Sequence, residues 1–287
     1  MPWPTWDQAA TAALLSLGLW WILRRVRTEA AAYLAPAAAE FALVSALYAV
    51  WRLARMLPIA NDTGAIERAR DIVRLEHALH LPTELSVQQF VLRHDWLGEP
   101  TSLYYAGLHV PGLIAFLIWL FVRHRDRYPH WRNALALVTA GCLVLRFVRV
   151  APPRFLPDLG YQDLTHDYGV SVYASDVTTG ISDQFAAMPS IHVAWAAVVS
   201  FGVVATSTSR WRWLFLLHVV LTVLVVAATA HHWWLDGIVA LLLLGGGLWL
   251  DTSARTLLAR RAAAWRRRPS GSAAPEDGRE RCSTVGA

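Results

Sequence analysis

The sequence contains no lysine and only two cysteines in 287 residues. All 26 basic residues are therefore arginine, and the formal net charge is +5. Cys142 stands in an apolar run and Cys282 in a polar tail, so the cysteines indicate no disulfide framework and leave the redox compartment open. The arginines stand in short loops beside apolar segments and are not interleaved with stacking aromatics, so we expect no nucleic-acid partner.

Charged residues are also scarce, at 16%, whereas 55% of the residues are hydrophobic and the mean hydropathy is positive. Long apolar runs with this composition exclude an ordinary soluble domain. Many of the 15 tryptophans stand at the ends of apolar runs, as in an interfacial aromatic belt. We therefore predict an all-α integral membrane protein that crosses the bilayer several times.

Seven apolar stretches are candidates for membrane spans. They are residues 9–23, 34–57, 102–122, 133–150, 190–206 and the two halves of 213–250, which is too long to cross once and must fold back near 229–236. The first stretch is short, and is either a signal anchor or a thin first helix.

The chain is accordingly expected to have three parts. Residues 1–33 form a hydrophobic span with its basic stop, 34–251 a six-span catalytic core, and 252–287 a basic, disordered cytoplasmic tail. Within the core, 61–100 is expected to form one or two amphipathic helices at a membrane face or over the bundle, with a solvated loop as the alternative. Residues 151–188 are longer than an ordinary connection and are expected to form an active-site loop.

Arginine placement predicts the topology. The arginine-rich loops must share one side if seven spans are real, and that side should be cytoplasmic; they are 24–27, 123–132 and 210–212, with the tail from Arg255. The loop 151–188 and the turn 229–236 then lie at the opposite face. We expect a multi-pass protein of the plasma (inner) membrane with its active site on the non-cytoplasmic face.

Two polar motifs lie at that face. Pro189 and Ser190 suit the start of a helix, and His192 falls in its first turn, where the helix N-terminus favours an anion. His232 and Asp236 are four residues apart at the start of the last span. On one helix face the carboxylate can orient the imidazole and leave its other nitrogen free to attack.

Arginines add an anion-binding element. Arg154 stands in a proline-stiffened loop, and Arg149 precedes it at the end of the fourth span. Arginine suits bidentate phosphate contacts, and with the helix end at Ser190 it would stabilise transition-state charge. The whole set suits phosphoryl transfer without a metal: one histidine attacks phosphorus and a second protonates the leaving oxygen.

Several alternatives stay open. A zinc site would use His192, His231, His232 and Asp236. His231, Tyr161 and Asp163 are candidate headgroup contacts, or else parts of a simple turn and a plain polar loop.

The run Ala-Ala-Met-Pro-Ser-Ile-His ending at His192, with His232-x-x-x-Asp236, resembles the signature of the type 2 phosphatidic acid phosphatase superfamily. The Ala-Pro-Pro-Arg-Phe-Leu-Pro stretch around Arg154 and the paired histidines are closer to its inositol phosphorylceramide synthase-like (inositolphosphotransferase) branch. The resemblance covers roughly residues 34–250. It implies a six-helix transmembrane core, here with one extra N-terminal span. It also implies His232 as nucleophile, Asp236 as its orienting partner, His192 as the acid and Arg154 as a phosphate ligand, with no cofactor.

Three positions depart from the superfamily pattern. Phe147 stands where Lys-x6-Arg-Pro has its lysine, Val226 replaces an arginine before the last histidine, and Ile191 replaces the glycine of Pro-Ser-Gly-His. These departures favour a lipid phosphotransferase that acts through a phosphohistidine on a phospholipid headgroup phosphate. The alternatives are a lipid phosphate or polyprenyl (di)phosphate phosphatase, and a non-catalytic membrane protein that binds lipid.

Overall fold

The computed structural model describes residues 4–56, 63–169 and 185–266. In this part the chain is helical, with one isolated parallel bridge between Val150 and Ala186, so the predicted all-α class is confirmed for the described residues. The α-helices are α1 (Trp6–Leu23), α2 (Glu29–Met56), α3 (Ala65–Ala78), α4 (Glu84–Leu92), α5 (Asp95–Gly107), α6 (His109–Arg123), α7 (Tyr128–Leu145), α8 (Leu164–Asp167), α9 (Ile191–Thr206), α10 (Leu216–Ala228) and α11 (Trp234–Arg266).

Several helices are suited to crossing a membrane. Among the residues that the structure describes, three helices are long and apolar enough by themselves: Glu29–Met56, Arg210–Ala228 (α10 with the turn of 3-10 helix before it) and Trp234–Trp265. Helices α5 and α6 make a fourth if the bent pair is one span. The apolar helix α9 is shorter. The chain is therefore a membrane protein with several spanning helices, whereas the six-helix core and the extra N-terminal span stay predictions.

The third span differs from the single helix expected at 102–122. Helices α5 and α6 meet at a bend of 50°. Pro111, in the first turn of α6, has no N–H to donate to the Gly107 carbonyl, and its ring crowds that carbonyl, so a continuous helix breaks there. The break makes His109 the first residue of α6 and leaves its side chain inside the bundle.

Residues 63–100 fold over the bundle. They contribute α3, α4 and the start of α5. One face of α3 is buried, with Ala65, Ala69, Ile72 and Glu76 at helical spacing, and its apolar residues pack in one cluster with Trp233. This segment therefore contacts the turn that leads into the last helix.

Helix α9 lies at the centre of the bundle, in contact with α6, α7, α10 and α11. Its buried face is built from small residues such as Ala194 and Ala197. At Gly202 the helices are in close contact, because a Cβ would lie 2.2 Å from Cζ of Phe116 on α6. Small residues at such contacts let apolar helices approach closely.

Polar contacts join the helices midway along α11. Asp251 is 6% exposed and accepts hydrogen bonds from Asn133 of α7 at 2.7 Å and from Arg255 one turn on. Helix α11 continues through Arg266, contrary to the disorder predicted from residue 252. The Arg255–Asp251 pair and the helix-favouring alanine, leucine and arginine residues explain the extension. Residues 267–287 lie outside the described part.

We expect Gly202→Ala to destabilise the protein by about 1–3 kcal/mol, because the added methyl group overlaps the Phe116 ring. Gly245→Ala in α11 is a matched control, since no atom lies within 4 Å of its added Cβ and its gain in helix propensity is the same. Thermal unfolding in detergent should show a lower melting temperature for the first variant only. Equal melting temperatures would contradict the close α6–α9 contact.

Candidate active site

Backbone contacts join the two polar motifs predicted from the sequence. The Ser190 N–H donates to the Asp236 carbonyl at 3.2 Å, which ties the start of α9 to the first turn of α11. The imidazole of His232 contacts the carbonyl of Ala187 at 2.7 Å. As a result, the rings of His192 and His232 lie with their centroids 5.6 Å apart. The structure therefore brings the two halves of the predicted site together.

The His232 ring is held through one nitrogen. Its Nδ1 lies 2.7 Å from the Ala187 carbonyl and 3.3 Å from Oδ2 of Asp236. Both neighbours are acceptors, so Nδ1 carries the hydrogen and Nε2 keeps its lone pair. This is the tautomer that a histidine nucleophile needs.

Asp236 is fully buried and its carboxylate organises the turn. Oδ2 accepts the Trp233 N–H at 2.8 Å in addition to its contact with His232, whereas Oδ1 has no partner among the described residues. A carboxylate buried beside an imidazole stabilises the positive charge that develops on that ring during attack.

His192 stands in the first turn of α9, as predicted. Ser190 caps this helix, because its Oγ accepts the Val193 N–H at 3.4 Å. The side chain of Ser190 is thus engaged in capping, and its contribution to phosphate binding would come through the helix end. The rings of His192 and Tyr105 lie 4.5 Å apart.

Arg154 is placed beside the two histidines by the turn before α11. Its backbone N–H donates to the Ala230 carbonyl at 3.0 Å, and its side chain, 4% exposed, reaches Asp163 with Nε 3.3 Å from Oδ2. Burial and the nearby Arg154 guanidinium lower the pKa of His231 well below its usual range. His231 is therefore neutral, with Nδ1 2.8 Å from the Thr229 carbonyl.

The remaining predicted residues have structural partners. Asp163 is the counter-ion of Arg154 and also caps α8. The hydroxyl of Tyr161 donates to Glu84 at 3.3 Å, and its headgroup contact stays a prediction. Arg149 is 1% exposed, and its carbonyl accepts from Nε of Arg68.

The described ranges contain no group of three or more histidine, cysteine, aspartate or glutamate side chains arranged to hold a metal ion. His231 and His232 are adjacent in the chain but bond to different carbonyls, those of Thr229 and Ala187. The zinc alternative therefore lacks a converging ligand set in this part of the molecule. Metal-independent chemistry stays a prediction.

Comparison with known families agrees with this geometry. Residues 70–250 match the family model described as the PAP2 superfamily, and the matched range contains both histidine motifs and Arg154. The chain belongs to the PAP2 superfamily. Neither a curated protein nor a solved structure matches it. Membership indicates lipid phosphatase or phosphotransferase chemistry, and the synthase-like branch stays a prediction.

Two carboxylates of this PAP2 protein contact the site but were not predicted from the sequence to do so. Oε1 of Glu84 accepts the Trp234 N–H at 2.9 Å, and Oε1 of Glu76 accepts the Leu235 N–H at 3.0 Å. These are N–H groups of the first turn of α11, which have no partner within the helix. The segment 63–100 therefore caps the helix that carries Asp236.

A signal for this role is present in the sequence. Glu76 continues the buried stripe of Ala65, Ala69 and Ile72 on α3, and a carboxylate on such a stripe requires a donor. Burial and the neighbouring Glu84 raise the pKa of Glu76 to about 8, and burial also raises the pKa of Glu84. The pair therefore retains a proton at neutral pH.

We expect Glu76 to make stability depend on pH. Its folded-state pKa is about 8 against 4.5 for the free side chain, so stability should be greatest below pH 4.5 and decrease as the pH rises towards 8. Glu76→Gln keeps an oxygen for the Leu235 N–H but cannot ionise. In this variant we expect the slope of the unfolding free energy against pH to decrease by the contribution of about one proton.

Glu67→Gln is the control, because Glu67 is on the same helix but exposed. Denaturation in detergent between pH 5 and pH 9 measures the effect. The same slope in Glu76→Gln and the wild-type protein would contradict a protonated, buried Glu76.

Proposed function

We propose that the protein is a membrane-embedded lipid phosphotransferase that acts through a His232 nucleophile on a phospholipid headgroup phosphate. The observation that carries this proposal is the placement of Nδ1 of His232 between the Ala187 carbonyl and Asp236, at 2.7 and 3.3 Å. This geometry leaves Nε2 as the nitrogen that can attack phosphorus, with His192 beside it.

The first half-reaction breaks the bond from phosphorus to the leaving lipid oxygen. Nε2 of His232 attacks phosphorus while His192, in its protonated form, gives its proton to the leaving alkoxide. The product is a phosphohistidine on His232 and a free lipid alcohol. Asp236 offsets the positive charge that the attacking ring acquires.

The second half-reaction reverses these roles. His192, now neutral, removes the proton from an acceptor hydroxyl, whose oxygen attacks phosphorus as the bond to Nε2 breaks. The acceptor is a second lipid or a polyol in a transferase and water in a phosphatase. His192 ends protonated, so the cycle closes without an added proton.

Arg154 supplies the phosphate contact in this scheme. Its backbone bond to Ala230 and its proximity to His231 hold the guanidinium near the histidines, and a bound phosphate would compete with Asp163 for it. The N-terminus of α9 adds backbone N–H groups. Arg149 is buried on the same side and is a second candidate ligand.

The positions that depart from the superfamily pattern favour transfer over general hydrolysis. Phe147 is 55% exposed, so its position does not face the site. Val226 is buried in the last turn of α10, where its carbonyl accepts the His231 N–H at 3.1 Å. With these phosphate ligands replaced, a lipid phosphate phosphatase is the second candidate, and a non-catalytic lipid-binding protein is disfavoured by the ordered histidines.

The direction of the helices favours a site on the non-cytoplasmic face of the membrane, which we propose to be the plasma (inner) membrane. Helix α9 begins at Ile191, next to His192, and α11 begins at Trp234, two residues after His232. Helix α6 ends at Arg123, and α10 follows Arg210–Phe215. The histidines and the arginine-rich loops therefore lie at opposite ends of these helices, and the arginine-rich end is the cytoplasmic one by the positive-inside rule.

We expect His232→Ala and His192→Ala each to lower turnover on the order of 10³-fold or more, since each removes one half of the acid–nucleophile pair. The assay uses purified protein in detergent with EDTA. Labelled phosphatidylinositol and phosphatidic acid are the donors, with and without a lipid alcohol or polyol acceptor. Label in the acceptor supports the transferase, and label released only to water supports the phosphatase.

His166→Ala is the matched control, because the His166 side chain is 79% exposed on the same side of the molecule and should leave turnover unchanged. Full activity in both histidine variants would overturn the mechanism. Turnover that EDTA abolishes would instead support a metal site.

A further inference from the structure

A third histidine lies beside His192 and His232 and takes no part in the proposed phosphoryl transfer. His109 begins α6 at the bend between α5 and α6 and is 5% exposed. Its ring centroid is 5.0 Å from that of His192, with the ring planes at 73°. An ionisable side chain buried at this depth is expensive to retain unless it has a partner or a role.

The two neighbouring rings share an unusual deficit of hydrogen bonds. Among the described residues, neither ring nitrogen of His109 makes a hydrogen bond of normal length and angle, although the ring lies beside the Tyr105 backbone, and Nδ1 of His192 has no partner. Buried polar atoms are nearly always paired, so these nitrogens need an explanation. Rings whose centroids are 5.0 Å apart are close enough for two of these nitrogens to hydrogen-bond when they turn towards each other.

A hydrogen bond between His109 and His192 would support the proposed role of His192 as the acid. A protonated imidazole has two N–H groups, and both need acceptors in a site that excludes water. One N–H faces the leaving oxygen of the substrate. The Nδ1–H of His192 requires an acceptor on the protein, and the lone pair of a neutral His109 is beside it.

We infer that His109 is a positioning residue that acts through His192: a ring nitrogen of His109 accepts the His192 Nδ1–H and thereby supports the protonated acid. This inference rests on the proposed function. His109 touches neither phosphorus nor the leaving group, and its proton count is the same before and after the reaction.

The next ring along is fixed by bonds of its own. His218 lies 6.0 Å from His109, and its Nδ1 is 2.7 Å from the hydroxyl of Tyr104, which also contacts Thr222 at 3.1 Å. His218 therefore packs against His109 with its own hydrogen bond to Tyr104 already formed. It does not need to exchange protons for the reaction to proceed.

A change at His109 should alter the pH dependence of turnover. Loss of the acceptor weakens the protonated form of His192, so the basic limb of the pH–rate profile should move to lower pH. The titratable and charged groups that face these two rings from the surrounding elements are Arg55, Tyr104, Tyr105, His218, His231 and His232.

The experiment compares leaving groups. A general acid matters for an alkoxide leaving group and is dispensable for nitrophenolate, which leaves without a proton. The substrates are the lipid donor that the wild-type protein turns over and its 4-nitrophenyl counterpart. The counterpart is 4-nitrophenyl phosphate for phosphatidic acid, and 4-nitrophenyl inositol phosphate for phosphatidylinositol.

For His109→Leu we expect turnover of the lipid donor to fall by about 10- to 100-fold, with less than about 3-fold loss on the nitrophenyl ester. His109→Gln restores an acceptor and should recover most of the loss. His218→Leu should stay within about 3-fold of wild type on both substrates, since that ring contacts Tyr104 and His109 but takes no part in the proton transfers.

His192→Ala is the positive control for the leaving-group effect. Equal losses on both substrates in His109→Leu would overturn the inference, because they would indicate a damaged fold. No loss in His109→Leu, while His192→Ala shows the leaving-group effect, would overturn it as well and leave the proposed function intact. A wild-type protein inactive on every donor would instead overturn the proposed function itself.

Discussion

The site depends on the several bonds of one buried residue, Asp236. Its carbonyl accepts the Ser190 N–H at 3.2 Å, and its carboxylate accepts the Trp233 N–H and contacts the ring of His232. These bonds join two helix starts that are far apart in the sequence and fix the tautomer of the nucleophile at the same time. A change at this residue alters both the packing of α9 against α11 and the chemistry, so the two are coupled.

The segment 63–100, which packs over the bundle, also stabilises the start of α11. Glu76 and Glu84 accept the N–H groups of Leu235 and Trp234, while the indole N–H of Trp233 donates to the Ala151 carbonyl at 2.9 Å. The first turn of α11 is thereby satisfied by protein atoms, which matters at the rim of a membrane where water is limited. The segment 63–100 is thus part of the active-site architecture.

Local signals predicted much of this arrangement. Ser190 as a helix cap, the turn near 229–236 and the His232–Asp236 spacing follow from residue chemistry and apolar runs, which act over a few neighbouring residues. The partners of Tyr161 and Asp163 did not follow, because which polar groups pair depends on tertiary contacts between distant segments. The proline at position 111 is a local signal for the bend between α5 and α6. The bend was not predicted, because the apolar run continues through this proline. The hydrogen bond between Glu76 and α11 could not be predicted, because it depends on how α3 packs against α11 in the folded protein.

The central claim is that phosphorus is transferred to His232, and trapping that intermediate tests it most directly. Protein is mixed with a phosphorus-labelled lipid donor without acceptor and quenched in alkali, which preserves the acid-labile N–P bond. The label is then located by digestion and mass spectrometry. The account predicts label on the peptide that contains His232 and none in His232→Ala, with Asp236→Asn reducing the yield. Label on another residue, or undiminished label in His232→Ala, would contradict it.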